Sequence, residues 1–240
     1  MKIRHRFLAC AFSIVTISGS ALAAPIVLDF EGINSTYPTT NFASIEGFYD
    51  GGTSSAGTSG TNYGITFSSN ALAICLNTTG VSCSNTSRGG QGDPNSQEGG
   101  LFFLSGSNTF MNDADGFTTG FSLFYTAINS PGSLEVYSGL DGTGTLLASL
   151  SLPTTQSNCP TTYGAGFCPF VPVGVSFAGT GQSISFAGVA NQIVFDDVTF
   201  GSVTPGPQPS DTPEPSSLIM ILTGAGAGIR QFQRYLASRA

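Results

Sequence analysis

Positive charge is what this sequence has least of. Only 9% of its 240 residues are charged, and Lys and Arg together number seven, where a soluble domain usually has about a quarter of its residues charged. Lys2, Arg4, His5 and Arg6 crowd the N-terminus, and Arg230, Arg234 and Arg239 the C-terminus, so Arg88 is the single base between them. From Asp29 to Asp197 twelve acids face that one arginine, a formal charge of −11 in a stretch without Lys or His. This excludes from the stretch a Ser-His-Asp or Cys-His nucleophile pair, a Schiff-base lysine, a P-loop lysine and a His-ligated zinc. It also excludes nucleic acid as a partner, because neutralising phosphates takes several Lys or Arg on one face. Tryptophan is absent, which removes the usual stacking platform for sugars. Carboxylate chemistry remains, or no chemistry.

The scarce bases mark the two ends. Residues 1–23 have the layout of a secretory signal: the basic start, an apolar run from Phe7 to Ile17, and Ala21-Leu22-Ala23 before the expected cleavage. At the other end a Pro-rich linker, 204–212, leads into Pro213-Glu214-Pro215, the apolar stretch Leu218–Ile229 and the three arginines. As a helix that apolar part, about 14 residues with its flanks, is about 21 Å long against a hydrocarbon layer of about 30 Å, so it spans a membrane only marginally. The basic tail then stays on the cytoplasmic side.

Pro-Glu-Pro, a short Gly-rich apolar helix and an Arg-bearing end, over 213–240, resemble the PEP-CTERM sorting signal of exported bacterial proteins. The resemblance implies processing near Pro213-Glu214-Pro215 by an exosortase, transient residence of the C-terminal helix in the inner membrane, and release of a Gram-negative host's protein to its surface or its exopolysaccharide matrix. The basic cluster is looser than the family's, being spread by Gln231-Phe232-Gln233 and Tyr235-Leu236. The early Leu28-Asp29-Phe30-Glu31-Gly32 and late Phe195-Asp196-Asp197-Val198 also resemble the domain common among these proteins, a likeness that implies no activity.

Between residues 24 and 203 no helical periodicity is sustained, and short β-favouring runs recur between Gly, Asn, Ser and Pro clusters. The pattern predicts one all-β domain, a two-sheet β-sandwich of jelly-roll type. The expected strands are Ile26–Phe30, Tyr63–Ser68, Leu101–Ser105, Phe117–Tyr125, Leu134–Ser138, Leu146–Leu152, Val171–Phe177, Ser183–Phe186 and Gln192–Phe200. Phe121, Leu123 and Tyr125 on one side and Phe124 on the other predict a central strand covered on both faces. Tyr49–Asn62 and Thr78–Gly100 read as long loops. The related segments 174–179 and 183–188 fit a β-hairpin, Asp141-Gly142-Thr143-Gly144 a hairpin turn, and Asn112-Asp113-Ala114-Asp115-Gly116 an ordinary turn rather than a calcium loop, since it lacks the closing Glu and flanking helices.

Four cysteines remain after signal removal. Cys75 with Cys83 and Cys159 with Cys168 form two close pairs, and of three connectivities the two local disulfides close the tightest loops. A four-cysteine metal site has the wrong spacing and needs reduced thiols outside the cytoplasm.

Asp29, Glu31, Asp196 and Asp197 are the candidate metal ligands. Alternation on the first expected strand separates Asp29 and Glu31 from Ile26, Leu28 and Phe30. On the last, Asp196 shares a face with Val194, Val198 and Phe200, so one acid of the doublet faces an apolar side. A buried carboxylate in a chain this poor in bases favours a hard cation, and outside the cell that means a structural Ca2+. The alternative is a strand-end bulge that turns Asp196 outward. The expectation for function is therefore a non-enzymatic surface or matrix protein, structural or adhesive and associated with polysaccharide. Its rivals are a carbohydrate-binding module stacking sugars on Tyr49, Tyr63, Tyr125, Tyr137 or Tyr163, and a glycosidase built on two carboxylates.

Overall fold

A computed structural model describes residues 25–36, 39–76, 98–158 and 166–206. Pro25–Gln208 forms one compact unit. The other unit, Met1–Ala24 with Pro209–Ala240, lies outside the described residues and holds both expected targeting segments. Among the described residues no helix is long and apolar enough to cross a membrane.

Short runs of alternating apolar and small polar residues make twelve strands here, arranged as two antiparallel sheets. The first sheet runs β10 (Val171–Ser176), β7 (Gly120–Ala127), β12 (Ile193–Phe200), β5 (Leu101–Phe102), β4 (Leu72–Ile74) and β2 (Phe42–Ser44), and β1 (Val27–Leu28) pairs beside β12. The second runs β3 (Ile65–Phe67), β6 (Asn108–Phe117), β11 (Gly181–Ala187), β8 (Gly132–Tyr137) and β9 (Leu146–Leu152). The main core lies between them: Leu28, Leu101, Phe121, Leu123, Tyr125 and Phe195 from one sheet meet Ile65, Met111, Leu134, Val136, Ile184 and Phe186 from the other. Each such large side chain contributes about 1.5–3 kcal/mol on burial. The expected all-β, two-sheet architecture is what is observed.

A second apolar cluster, Ile74, Leu76, Phe102, Ile128, Phe167 and Val194, is separate from the main core and takes Val194 from the other face of β12. Phe167 covers Phe102 edge-on at 5.7 Å. Its neighbour Cys168 and the distant Cys75 are both fully buried and both disulfide-bonded. Cys83 and Cys159 lie outside the described residues.

Several local expectations are corrected. Phe117–Tyr125 is not one strand: Phe117 ends β6 in one sheet and Gly120 begins β7 in the other, with Thr119 at φ 79° on the corner between them. The segment around Asn112–Gly116 belongs to β6, but the turn survives inside it as a bulge. Asp113 Oδ1 accepts the N–H groups of Asp115 and Gly116 at 3.1 and 3.0 Å, and the pairing with β11 slips there. The two similar segments 174–179 and 183–188 are not a hairpin, because β10 pairs with β7 while β11 pairs with β6 and β8. The Asp141 turn does join the antiparallel pair β8 and β9, with Asp141 and Gly142 both left-handed. Asn112 clamps it from β6 by exchanging two hydrogen bonds with Asp141, at 2.7 and 2.8 Å.

Candidate functional site

The first and last strands meet where the first sheet splits. Before its bulge β12 is flanked by β7 and β5, with Phe195 opposite Leu101; after it β12 is flanked by β7 and β1, with Val198 opposite Leu28. The register shift falls between Asp196 and Thr199, and Asp197 takes φ 48°. One extra residue reverses the alternation. Ile193 and Phe195 enter the main core before the bulge, Val198 and Phe200 enter it afterwards, and Val194 points to the second cluster. The expectation that Asp196 shares a face with Val198 and Phe200 is corrected by this phase change. The bulge also fails to turn Asp196 outward, since Asp196 and Asp197 are 0% and 1% exposed. Asp196 Oδ1 accepts the Asp197 N–H at 2.8 Å.

β1 stops at Leu28 because Phe30 turns left-handed, at φ 54°, while its ring remains in the core. A bulky residue in that region is rare and needs its surroundings to hold it. Two contacts do so. The Tyr49 hydroxyl accepts the Phe30 N–H at 3.0 Å, and the two rings meet edge-to-face at 6.0 Å. Beyond the turn, Glu31 Oε1 accepts the N–H groups of Glu98 and Gly99 at 2.8 and 3.1 Å, so the end of β1 is tied to the chain leading into β5. A side chain on Gly99 would collide with the Phe30 carbonyl, which makes glycine a requirement there. Asp29 Oδ1 takes the Glu31 N–H at 3.2 Å, and Asp29 is exposed.

A cleft of about 210 Å³ opens beside this turn, lined by Val27, Asp29, Glu31, Phe48, Tyr49, Gly60, Thr61 and Tyr63. Burial pushes the Glu31 carboxyl above its ordinary value of 4.5, the two backbone donors pull it back, and the charges of Glu98 and Asp29 push it further up. Tyr49 is raised well above 10.0, first by burial and then by the charge of Asp29; Phe30 N–H opposes this and Asp196 adds to it. Tyr49 is therefore a fixed neutral hydrogen-bonding group, and Glu31 a carboxyl whose charged form is disfavoured by its burial.

The structure thus places Asp29 and Glu31 at the cleft and Asp196 and Asp197 in the adjoining buried bulge. Among the described residues no three carboxylates, cysteines or histidines converge as metal ligands. Tyr49 and Tyr63 line the cleft, but Tyr49 is buried and only Tyr63 offers a partly open ring. Tyr125 lies in the core and donates its hydroxyl to the Pro153 carbonyl at 3.1 Å, so it is corrected as a stacking residue. Tyr137 is half-buried and donates to Glu135 Oε2 at 2.6 Å; Tyr163 lies outside the described residues. Phe48, Gly60 and Thr61 belong to the cleft without any sequence signal, since they sit in the irregular segment after β2. The sorting tripeptide Pro213-Glu214-Pro215 also lies outside the described residues. No protein-family model and no curated protein matches the chain.

Proposed function

We propose that this chain is an exported, non-enzymatic component of a Gram-negative cell surface or exopolysaccharide matrix, with its address read by an exosortase. The observation that carries the reading is Pro213-Glu214-Pro215 followed by the apolar stretch Leu218–Ile229 and Arg230, Arg234 and Arg239. On this reading the apolar stretch is a short transmembrane helix, residues 1–23 are removed as a signal peptide, and the sandwich is a jelly-roll-like cargo. Mass spectrometry of the mature protein is expected to find a C-terminus near residue 215 in the host and the intact Arg230–Ala240 segment in a strain lacking the sorting protease. Recovery of that segment in both strains overturns the proposal.

A second reading, a carbohydrate-binding module, is favoured by the cleft itself: Tyr63 offers a ring, Thr61 a hydroxyl and Asp29 an exposed acceptor around one concavity. Binding of residues 25–208 to a neutral glycan array, lost in Tyr63→Ala, supports it; no binding to any glycan counts against it. The structural Ca2+ on Asp29, Glu31, Asp196 and Asp197 stays a proposal, although among the described residues no three of these acids converge. A chelator is then expected to lower the melting temperature, and an unchanged melt with no calcium recovered in the protein removes it.

A further inference from the structure

One wall of the cleft beside the β1 turn is aromatic and firmly held. The Gly60 N–H donates to the Phe48 carbonyl at 3.1 Å, and the N–H groups of Tyr63 and Ile65 both donate to the Tyr49 carbonyl, at 2.9 and 3.2 Å. A side chain on Gly60 would collide with the Phe48 ring, so the chain there passes directly against it. Phe48 meets Tyr49 edge-to-face at 4.9 Å, and Tyr63 stacks on Tyr49 at 6.3 Å. Tyr63, half-buried, is the ring of this wall that still has an open part.

The polar groups of the cleft complement that wall. Asp29 is exposed and Glu31 half-buried. Both hydrogen bonds of the Glu31 carboxylate end on Oε1, and among the described residues Oε2 makes none. Tyr49 is only 3% exposed; its hydroxyl accepts the Phe30 N–H, and among the described residues no acceptor takes its own proton. The cleft therefore offers carboxylate oxygen, an aromatic face and one buried hydroxyl donor.

Charge and size narrow what fits. No Lys, Arg or His stands among the described residues, and the charges of Asp29 and Glu98 already press on Glu31. A neutral ligand would strip water from these carboxylates without compensating their charge, whereas a cation compensates it. An ammonium group also suits the face of an aromatic ring. A simple alkylammonium would leave the Tyr49 hydroxyl proton unmatched, and a ligand that also carries hydroxyl oxygens matches it. At about 210 Å³ the cleft is smaller than the roughly 300–1,000 Å³ of sites for larger ligands, so it takes a single ring.

We propose that this cleft binds a sugar carrying a free, positively charged amine, with the ammonium taken by Asp29, Glu31 and the face of Tyr63 and a ring oxygen or hydroxyl by Tyr49. The proposal rests on the reading of the cleft as a carbohydrate site and narrows it to one charge class.

The compact unit 25–208 is titrated calorimetrically at about pH 6.5, where an amine is charged, with a chelator present so that no divalent cation occupies the same carboxylates. The probes are the free-amine disaccharide of glucosamine, its N-acetylated form and ethanolamine. The free-amine sugar is expected to bind about tenfold more tightly than the acetylated one, and ethanolamine at the same concentration is expected not to displace it. Glu31→Gln keeps an oxygen for the Glu98 and Gly99 N–H groups, and Asp29→Asn keeps one for the Glu31 N–H. Each is expected to weaken the free-amine sugar about tenfold, as is Tyr63→Leu, which keeps an apolar side chain without the aromatic face. Glu135→Gln removes an equal charge from β8, three strands across the second sheet from β3, keeps an acceptor for the Tyr137 hydroxyl, and should bind as wild type does. Equal affinity for the acetylated sugar overturns the proposal and leaves the neutral-carbohydrate reading standing; binding of no sugar overturns both. Displacement by ethanolamine at equal concentration, undiminished binding in all three cleft variants, or equal weakening in Glu135→Gln also overturns the proposal.

Discussion

Tyr49 and Glu31 do their work through single oxygen atoms. Tyr49→Phe preserves the ring but leaves the buried Phe30 N–H without its acceptor, a loss expected to cost about 1–3 kcal/mol and read in a denaturant melt. Glu31 behaves differently with pH. Its folded carboxyl titrates above the ordinary 4.5 because burial disfavours the charge, so the stability it contributes is full below 4.5 and is lost as pH rises through the raised folded value. Glu31→Gln keeps an oxygen for Glu98 and Gly99 and has no proton to lose. The melting temperature of this variant relative to wild type is expected to climb between pH 4.5 and 7, and a flat difference would show that Glu31 is not destabilised by its burial. The sequence singled out Glu31 by alternation alone. It could not show that the carboxylate is turned to a backbone turn, because its two donors are 67 and 68 residues away.

Among the elements β12 is the most informative. Its sequence Ile193-Val194-Phe195-Asp196-Asp197-Val198-Thr199-Phe200 is β-favouring but interrupted by an acid doublet, and the strand itself was legible. The doublet Asp196-Asp197 also raised the bulge as an alternative, and the register shift falls there; what the residues did not show is that the bulge keeps Asp196 buried rather than turning it outward. Deleting Asp197 removes the extra residue and leaves Ile193, Phe195, Val198 and Phe200 on one face of a regular strand, so a cooperative thermal transition is expected to be retained; its loss in a thermal melt would show that the fold needs the bulge itself. β6 was missed for the opposite reason: Asn112, Asp113, Asp115 and Gly116 look like a turn, and a bulge gave them one without ending the strand.

At the scale of the whole molecule, the second apolar cluster depends on the covering segment that carries Phe167 and Cys168. Reducing the disulfides is expected to lower stability by about 2–5 kcal/mol, roughly 4–20 °C in a domain of this size. The main core should keep its strand signal while new protease sites open near Phe167. A melt unchanged by reduction would show that packing alone holds the cover. The sequence by itself determined the all-β class, most strands and the exclusion of base-dependent chemistry, because period-two alternation and residue inventory are local properties. Tertiary structure alone decided the rest: which sheet each strand joins, that β10 and β11 part company, that Asp196 is buried behind a bulge, and that Tyr49 rather than an acid anchors the turn. Those outcomes depend on which distant segments compete for the same sheet edge and the same buried donors, and that competition is settled only when the two sheets close on one another.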